Sequence, residues 1–255
     1  MRIHLAGVNG MKNIFQKKLL DFSQSFLLES FYTLKDWELK LIDNCGCFLL
    51  DSGAYTFMQA AQKHGNIDWL SYADRYADFV KDNNIKYYFE LDIDNIKGLK
   101  YAEMLRNRIE SRCGKPSIPV WHVERGKDYF LGMIKDYKYV ALGSIANVVN
   151  GKRKIQDKYF PWFINQAHKE NCKIHALGYT NLKGLSRYHF DSVDSTTWTI
   201  GGRFGVVMQF EKGTIKKHNS VINGKKERSI KDIEFVTLHN LKEWMKFQRF
   251  ADKYL

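Results

Sequence analysis

The chain has 255 residues, 44% of them apolar, with 40 Lys and Arg against 28 Asp and Glu, giving a formal net charge of +12 and a pI near 9.4. The apolar content is enough for a full core, no Pro/Gly/Ser-rich linker interrupts it, and no segment reaches the roughly 18 uninterrupted apolar residues of a membrane span. A single non-membrane domain over 1–255, without a leader and in a cytoplasmic setting, is therefore expected, and the cationic excess favours a polyanionic partner, nucleic acid first.

In chain order the apolar segments read IHLAG from Ile3, FLLDSGAY from Phe48, YYFELDID from Tyr87, PVWHV from Pro119, YVALGSI from Tyr139, KIHALG from Lys173 and HFDSVDST from His189. Each is a short strand with Gly, Asp or His at its carboxyl end. An eighth strand is predicted at Phe204–Phe210, FGVVMQF. Between strands, Trp69, Leu70, Tyr72, Tyr76, Phe79 and Val80 recur at helical spacing and predict a helix over Asp68–Lys81. Strands that alternate with helices and carry polar chemistry at one end predict an α/β fold of the (β/α)8 TIM-barrel type, whose usual length is about 250 residues. An open doubly wound sheet is the competing arrangement, and it too would gather its site at the strand carboxyl ends. Basic clusters stand at Lys152, Arg153 and Lys154, and at Lys212, Lys216, Lys217, Lys225, Lys226 and Arg228, within a basic carboxyl-terminal segment and helix expected at about 211–255.

The carboxylates are the chemically informative residues. Asp51 sits where FLL opens into the tight Ser52-Gly53-Ala54-Tyr55 turn, a position facing a barrel mouth. Glu90, Asp92 and Asp94 alternate along one segment and are expected on one strand face. Asp191 and Asp194, three apart, cannot share a face in a continuous strand, so one of them at most points at a common reaction centre. Clustered carboxylates raise one another's pKa values and so supply an acid and a base at one pH, as glycosyl chemistry requires.

His4, His122 and His175 all fall on predicted strands, but without HxH or HExxH spacing they are read as hydrogen-bonded core or pocket residues. Cys45, Cys47, Cys113 and Cys172 lack CxxC spacing and are expected as free thiols in a reducing compartment. No metal and no cofactor are expected.

In this order and spacing, LLDSGAY, FELDID, VWHVERG, ALGSIA, HALGYT and HFDSVDST resemble the barrel signatures of the tRNA-guanine transglycosylase superfamily, over roughly Leu49 to Thr197. The likeness is greater to its compact, phage-type branch, which exchanges guanine for a 7-deazaguanine in DNA. That resemblance implies Asp191 as nucleophile, Asp51 as general acid/base, and Asp92, His122, Gly143 and Ser144 as base-binding residues, with Tyr55 and Gly178 beside them. Trp121 and Tyr179 are further candidates for stacking on a base. Lys152, Arg153, Lys154, Lys225, Lys226 and Arg228 would hold flanking phosphates. DNA is then the first partner and tRNA the second, with a small 7-deazaguanine base as co-substrate and an oligomer open.

Departures from the family pattern matter. No cysteine follows Cys172, so the zinc site of the tRNA-type relatives is not expected; Ala54 replaces a glycine, Ser192 a cysteine, and Asp194 is an additional acid. Asp194 thereby stands as the alternative nucleophile. A non-catalytic nucleic-acid-binding member of the fold and an unrelated barrel hydrolase are the other readings.

Overall fold

A computed structural model describes residues 1–12, 20–61, 67–143, 148–149, 152–153, 155–201, 205–219 and 230–255. In chain order the strands are β1 (Arg2–Ala6), β2 (Phe26–Ser30), β3 (Cys47–Asp51), β4 (Tyr87–Tyr88), β5 (Val120–Trp121), β6 (Tyr139–Leu142), β7 (Val148–Val149), β8 (Lys152–Arg153), β9 (Lys173–Ala176), β10 (Ser192–Ser195), β11 (Val206–Glu211) and β12 (Thr214–Asn219). Eight of them pair in parallel in the order β4-β3-β2-β1-β10-β9-β6-β5. A parallel bridge between Phe89 and Ile118 joins the two ends, with Glu90 N donating to Ile118 O at 3.1 Å and Ile118 N to Tyr88 O at 2.8 Å. The sheet closes on itself, and the fold is the (β/α)8 barrel that the strand–helix alternation predicts.

One strand differs from expectation. The eighth barrel strand is β2, whereas the predicted Phe204–Phe210 strand contributes to β11, which pairs antiparallel with β12 outside the barrel. The turn decides this: Lys212 and Gly213 both have positive φ, 50° and 79°, the geometry that returns a chain as a two-residue hairpin. A parallel barrel strand would instead need a long crossover. Phe26-Leu27-Leu28 supplies what the barrel wants, with Leu28 turned inward and Leu27 outward.

Alternate residues fill the interior: Ala6, Leu28, Leu49, Phe89, Val120 and Ala141 form one buried cluster. Their neighbours Ile3, Leu5, Leu27, Leu50, Val140, Ile174 and Val193 face outward, into the layer shared with the helices. Removing one of these buried leucine or isoleucine side chains to Ala would cost about 2–5 kcal/mol.

Among the helices, α1 (Leu39–Asn44), α2 (Ala54–Ala61), α3 (Trp69–Asp82), α4 (Leu99–Cys113), α5 (Gly126–Asp136), α6 (Phe160–Lys169) and α7 (Ile230–Tyr254) concern the site or its support. The predicted Asp68–Lys81 helix is α3, begun by Asp68, whose side chain accepts from Ser71 N at 3.0 Å. Its apolar spacing lays Tyr72 and Tyr76 against the barrel, where Tyr72 OH donates to Ser52 O at 2.6 Å and Tyr76 OH to Phe89 O at 2.9 Å. From α7, Asn240 accepts from Met208 N and donates to Val206 O, fastening the β11–β12 hairpin, while Gln248 donates to Ile3 O and Phe26 O beneath the barrel. Among the described residues no helix is long and apolar enough to cross a membrane, and all four cysteines are free thiols.

Candidate active site

The carboxyl ends of β3, β4, β5, β6, β9 and β10 bring Asp51, Asp92, His122, Gly143, Gly178 and Asp194 to one mouth. Asp51 ends β3, and its Oδ2 accepts from Gly53 N at 2.9 Å. Gly53 has φ +68°, and a Cβ there would lie 2.5 Å from Ser30 Oγ and 2.6 Å from Tyr32 Cβ, so the turn that aims Asp51 requires glycine. Burial, and then the negative charge of Asp92 and of Asp194, push the Asp51 carboxyl up to about 7, with the Gly53 hydrogen bond opposing. A carboxyl poised there can give and take a proton at neutral pH.

The predicted common face for Glu90, Asp92 and Asp94 does not form. Strand β4 ends at Tyr88, and a tight turn with Ile93 N donating to Leu91 O at 2.9 Å breaks the alternation. Glu90 and Asp94 turn to Arg125, which donates from Nη1 to Glu90 at 2.7 Å and from Nε and Nη2 to Asp94 at 3.0 and 3.1 Å. Arg106 and the Val120 N–H complete the shell around Glu90. Burial pushes Asp94 up, but the Arg125 hydrogen bonds outweigh it and hold the carboxyl below its ordinary value. Asp92 instead turns into the mouth, with Oδ2 3.3 Å from His122 Nε2. Behind His122 lies Gly143, where an added Cβ would come within 2.4 Å of His122 Cε1. The glycine of ALGS is thus the floor on which His122 rests.

A cavity of about 560 Å3 opens here, lined by Tyr55, Met58, Asp92, His122, Gly143 and Gly178 among others. That volume is within the range of small-molecule sites. Tyr55 is 67% exposed and free to stack on a ligand, whereas Trp121 and Tyr179, at 4% and 1%, are core.

Asp191 and Asp194 part company. Asp191 precedes the first residue of β10 and lies at the amino end of the barrel, where its Oδ2 accepts from Ile174 N at 2.8 Å and meets His168 Nε2 at 2.9 Å. Three strand residues, about 10 Å, separate it from Asp194. Asp194, in register with His4 of β1, is inside the mouth, and its Oδ1 accepts from Gly178 N at 2.7 Å and faces His175 Nε2 at 3.1 Å. The expected nucleophile Asp191 is therefore remote from Asp51 and Asp92, and the alternative, Asp194, is the residue that joins them.

The whole barrel is similar to solved structures. A crystal structure of a candidate fructose-1,6-biphosphate aldolase from Coccidioides immitis superposes with a TM-score of 0.54 at 10% identity, covering 98% of this chain and 89% of that one. At that identity the likeness establishes the barrel fold. No family model matches the chain, and no curated protein matches it.

Of the remaining expected residues, Lys152 and Arg153 lie on the antiparallel β7–β8 ribbon, while Ser144, Lys154, Lys225, Lys226 and Arg228 lie outside the described residues. Among the described residues no group of three or more His, Cys, Asp or Glu is arranged to hold a metal ion. Sequence reasoning misses Arg125, which organises Glu90 and Asp94, and it does not foresee that the N–H of Gly178, which lines the cavity, serves Asp194. The spacing gives no signal for Arg125, because its partners are more than 30 residues away in the chain.

Proposed function

We propose that this protein is a base-exchange transglycosylase that replaces guanine in DNA with a 7-deazaguanine, with Asp194 as nucleophile and Asp51 as general acid/base. The observation that carries the reading is the convergence of Asp51, Asp92 and Asp194 at one mouth, with Asp51 pushed up to about 7 and Asp194 Oδ1 accepting from Gly178 N and facing His175 Nε2. Two carboxyl groups in such different surroundings divide naturally into proton donor and anionic nucleophile.

In the first step an oxygen of Asp194 attacks C1′ of an extruded deoxyguanosine, the C1′–N9 bond breaks, and the departing guanine takes the Asp51 proton. The strand stays intact and the sugar is held as an ester of Asp194. In the second step Asp51, now a carboxylate, takes the N9 proton of the incoming 7-deazaguanine, whose N9 attacks C1′ and releases Asp194. Two inversions restore the original configuration. Asp92 accepts hydrogen bonds from the ring N–H and exocyclic amine of a guanine-like edge, which adenine cannot offer in that pattern. The exposed Tyr55 ring stacks on the base. The net charge of +12 favours the polyanionic strand.

The test is incubation of the protein with DNA and radiolabelled guanine after chelation, followed by counting label in the intact strand. Incorporation is expected in the unsubstituted protein and in Asp191→Ala, and is lost with covalent trapping in Asp194→Ala. Label entering tRNA and not DNA would keep the chemistry and change the polymer. No incorporation into either polymer would refute the reading.

A further inference from the structure

A line of hydrogen bonds runs through the barrel interior behind Asp194. His175 is fully buried; its Nε2 faces Asp194 Oδ1 at 3.1 Å and its Nδ1 faces Ser192 Oγ, which in turn meets Tyr139 OH. Donor and acceptor roles follow from the ends. A carboxylate oxygen can only accept, so Nε2 carries the proton; Nδ1 is then an acceptor and takes the Ser192 hydroxyl proton; Ser192 Oγ is left to accept from Tyr139. Every proton in the line points toward the mouth. The other groups around the imidazole are His4 and Phe89. His4 of β1, 6.0 Å away between ring centroids, donates from Nδ1 to Leu27 O and is held by burial at about 3, and the Phe89 ring lies at 5.2 Å. Toward the mouth lie the carboxyl groups of Asp51 and Asp92, which interact with Asp194.

We propose that His175 is a positioning residue for the nucleophile: its Nε2–H, together with the Gly178 N–H, holds Asp194 Oδ1 and so presents Oδ2 to the sugar carbon, while Ser192 and Tyr139 fix the tautomer this needs. Among the described residues Oδ2 accepts no hydrogen bond. The proposal rests on the reading of Asp194 as nucleophile. Its physical basis is that hydrogen bonds to an ionised acceptor are about twice as strong as neutral ones, and that two donors on one oxygen leave the carboxylate a single orientation. An anion facing Asp51 and Asp92 has need of such donors. The line also explains why Ser stands at 192: a hydroxyl both donates to Nδ1 and accepts from Tyr139, which an apolar residue could not do.

The experiment compares the wild type with His175→Gln, whose amide nitrogen reaches where Nε2 lies, and His175→Asn, whose amide reaches only toward Ser192. Asp carboxyl carbons and His ring nitrogens are isotope-labelled, and the Asp194 carboxyl resonance is followed against pH. Its midpoint is expected to rise by about one pH unit or more in His175→Asn and to stay near the wild type in His175→Gln. Exchange kcat should fall roughly 10- to 150-fold in His175→Asn with KM for the free base unchanged, the range that corresponds to loss of one hydrogen bond to a charged group. Equal midpoints in all three proteins would overturn the proposal, as would equal losses of kcat in both variants. If the wild type exchanges no base, the function reading fails while the resonance titration still decides the role of His175. Should His175→Asn not fold, Ser192→Ala carries the test: the wild-type ring is expected as the Nε2–H tautomer alone and the variant as a mixture, and an unchanged spectrum overturns the assignment.

Discussion

Replacing Asp51 by Asn should make the protein inactive and, at alkaline pH, more stable. The amide keeps the acceptor for Gly53 N–H, so the turn is preserved, but it removes a charge that the mouth disfavours. The Asp51 carboxyl rises from the usual 3.8 to about 7 because of burial first, then Asp92 and Asp194. A carboxyl raised on folding binds its proton more tightly in the folded chain, so stability is undiminished below the unfolded value, falls as pH rises between the two values, and levels off above the folded one. At about 1.36 kcal/mol per pH unit, the raised carboxyl costs the fold about 1.5 kcal/mol at pH 5, where the folded chain holds a proton the unfolded chain has released, and about 4 kcal/mol at pH 8, the latter an upper figure because part of the side chain meets solvent. Urea unfolding of wild type and Asp51→Asn at both pH values reads this directly. The variant should exceed the wild type by a margin that grows between pH 5 and pH 8. A margin independent of pH, or a variant less stable at both, would refute the electrostatic account of this mouth.

Other perturbations address the remaining parts. Gly143→Ala places a methyl group against His122 and should cost about 1–3 kcal/mol in unfolding while weakening free-base binding; unchanged base affinity, measured by calorimetry, would remove His122 from the base site. Arg125→Met removes the Arg partner of Asp94 and leaves Glu90 with Arg106 and the Val120 N–H, and should lower stability by about 3–5 kcal/mol in denaturant titration, a loss under about 1 kcal/mol being incompatible with the network. Substituting Lys225, Lys226 and Arg228 together by Ala should flatten the salt dependence of DNA affinity by about one unit of log–log slope for each phosphate no longer neutralised. An unchanged slope would mark the cluster as ordinary solvated surface.

Most of the barrel is legible in the sequence because its strands are short apolar runs with polar endings, a signal independent of distant partners. The exception is instructive. SFLLES at Ser25 and CFLLDS at Cys47 are near copies, and their central residues pair as neighbouring strands, Leu27 with Phe48 and Leu28 with Leu49. The first copy lacks the DSG ending that distinguishes the second, while FGVVMQF has the more β-like composition but closes as a hairpin. Composition ranks strands; turn geometry decides which ones join the barrel. At the site, Asp51, His122 and Gly143 are readable because each ends its strand or directly follows it, whereas Asp92 lies four residues beyond the end of β4 and is readable only from its place in the apolar FELDID run. The choice between Asp191 and Asp194 depends on where β10 begins, a shift of three residues that apolar patterning does not fix. Arg125 and the His175–Ser192–Tyr139 line join residues far apart in the chain, and only the closed barrel brings them together.

The acidic mouth is set in a protein of net charge +12, and that opposition sorts visitors by the place of their charge. A phosphate brought within about 5–6 Å of one of these carboxylates meets a repulsion of about 3 kcal/mol per unit charge at an effective dielectric near 20. An uncharged base avoids it. On the proposed reading, free nucleotides would be turned away from a cavity that takes their nucleobases, and a polymer would dock with its phosphates on the rim and one base turned inward.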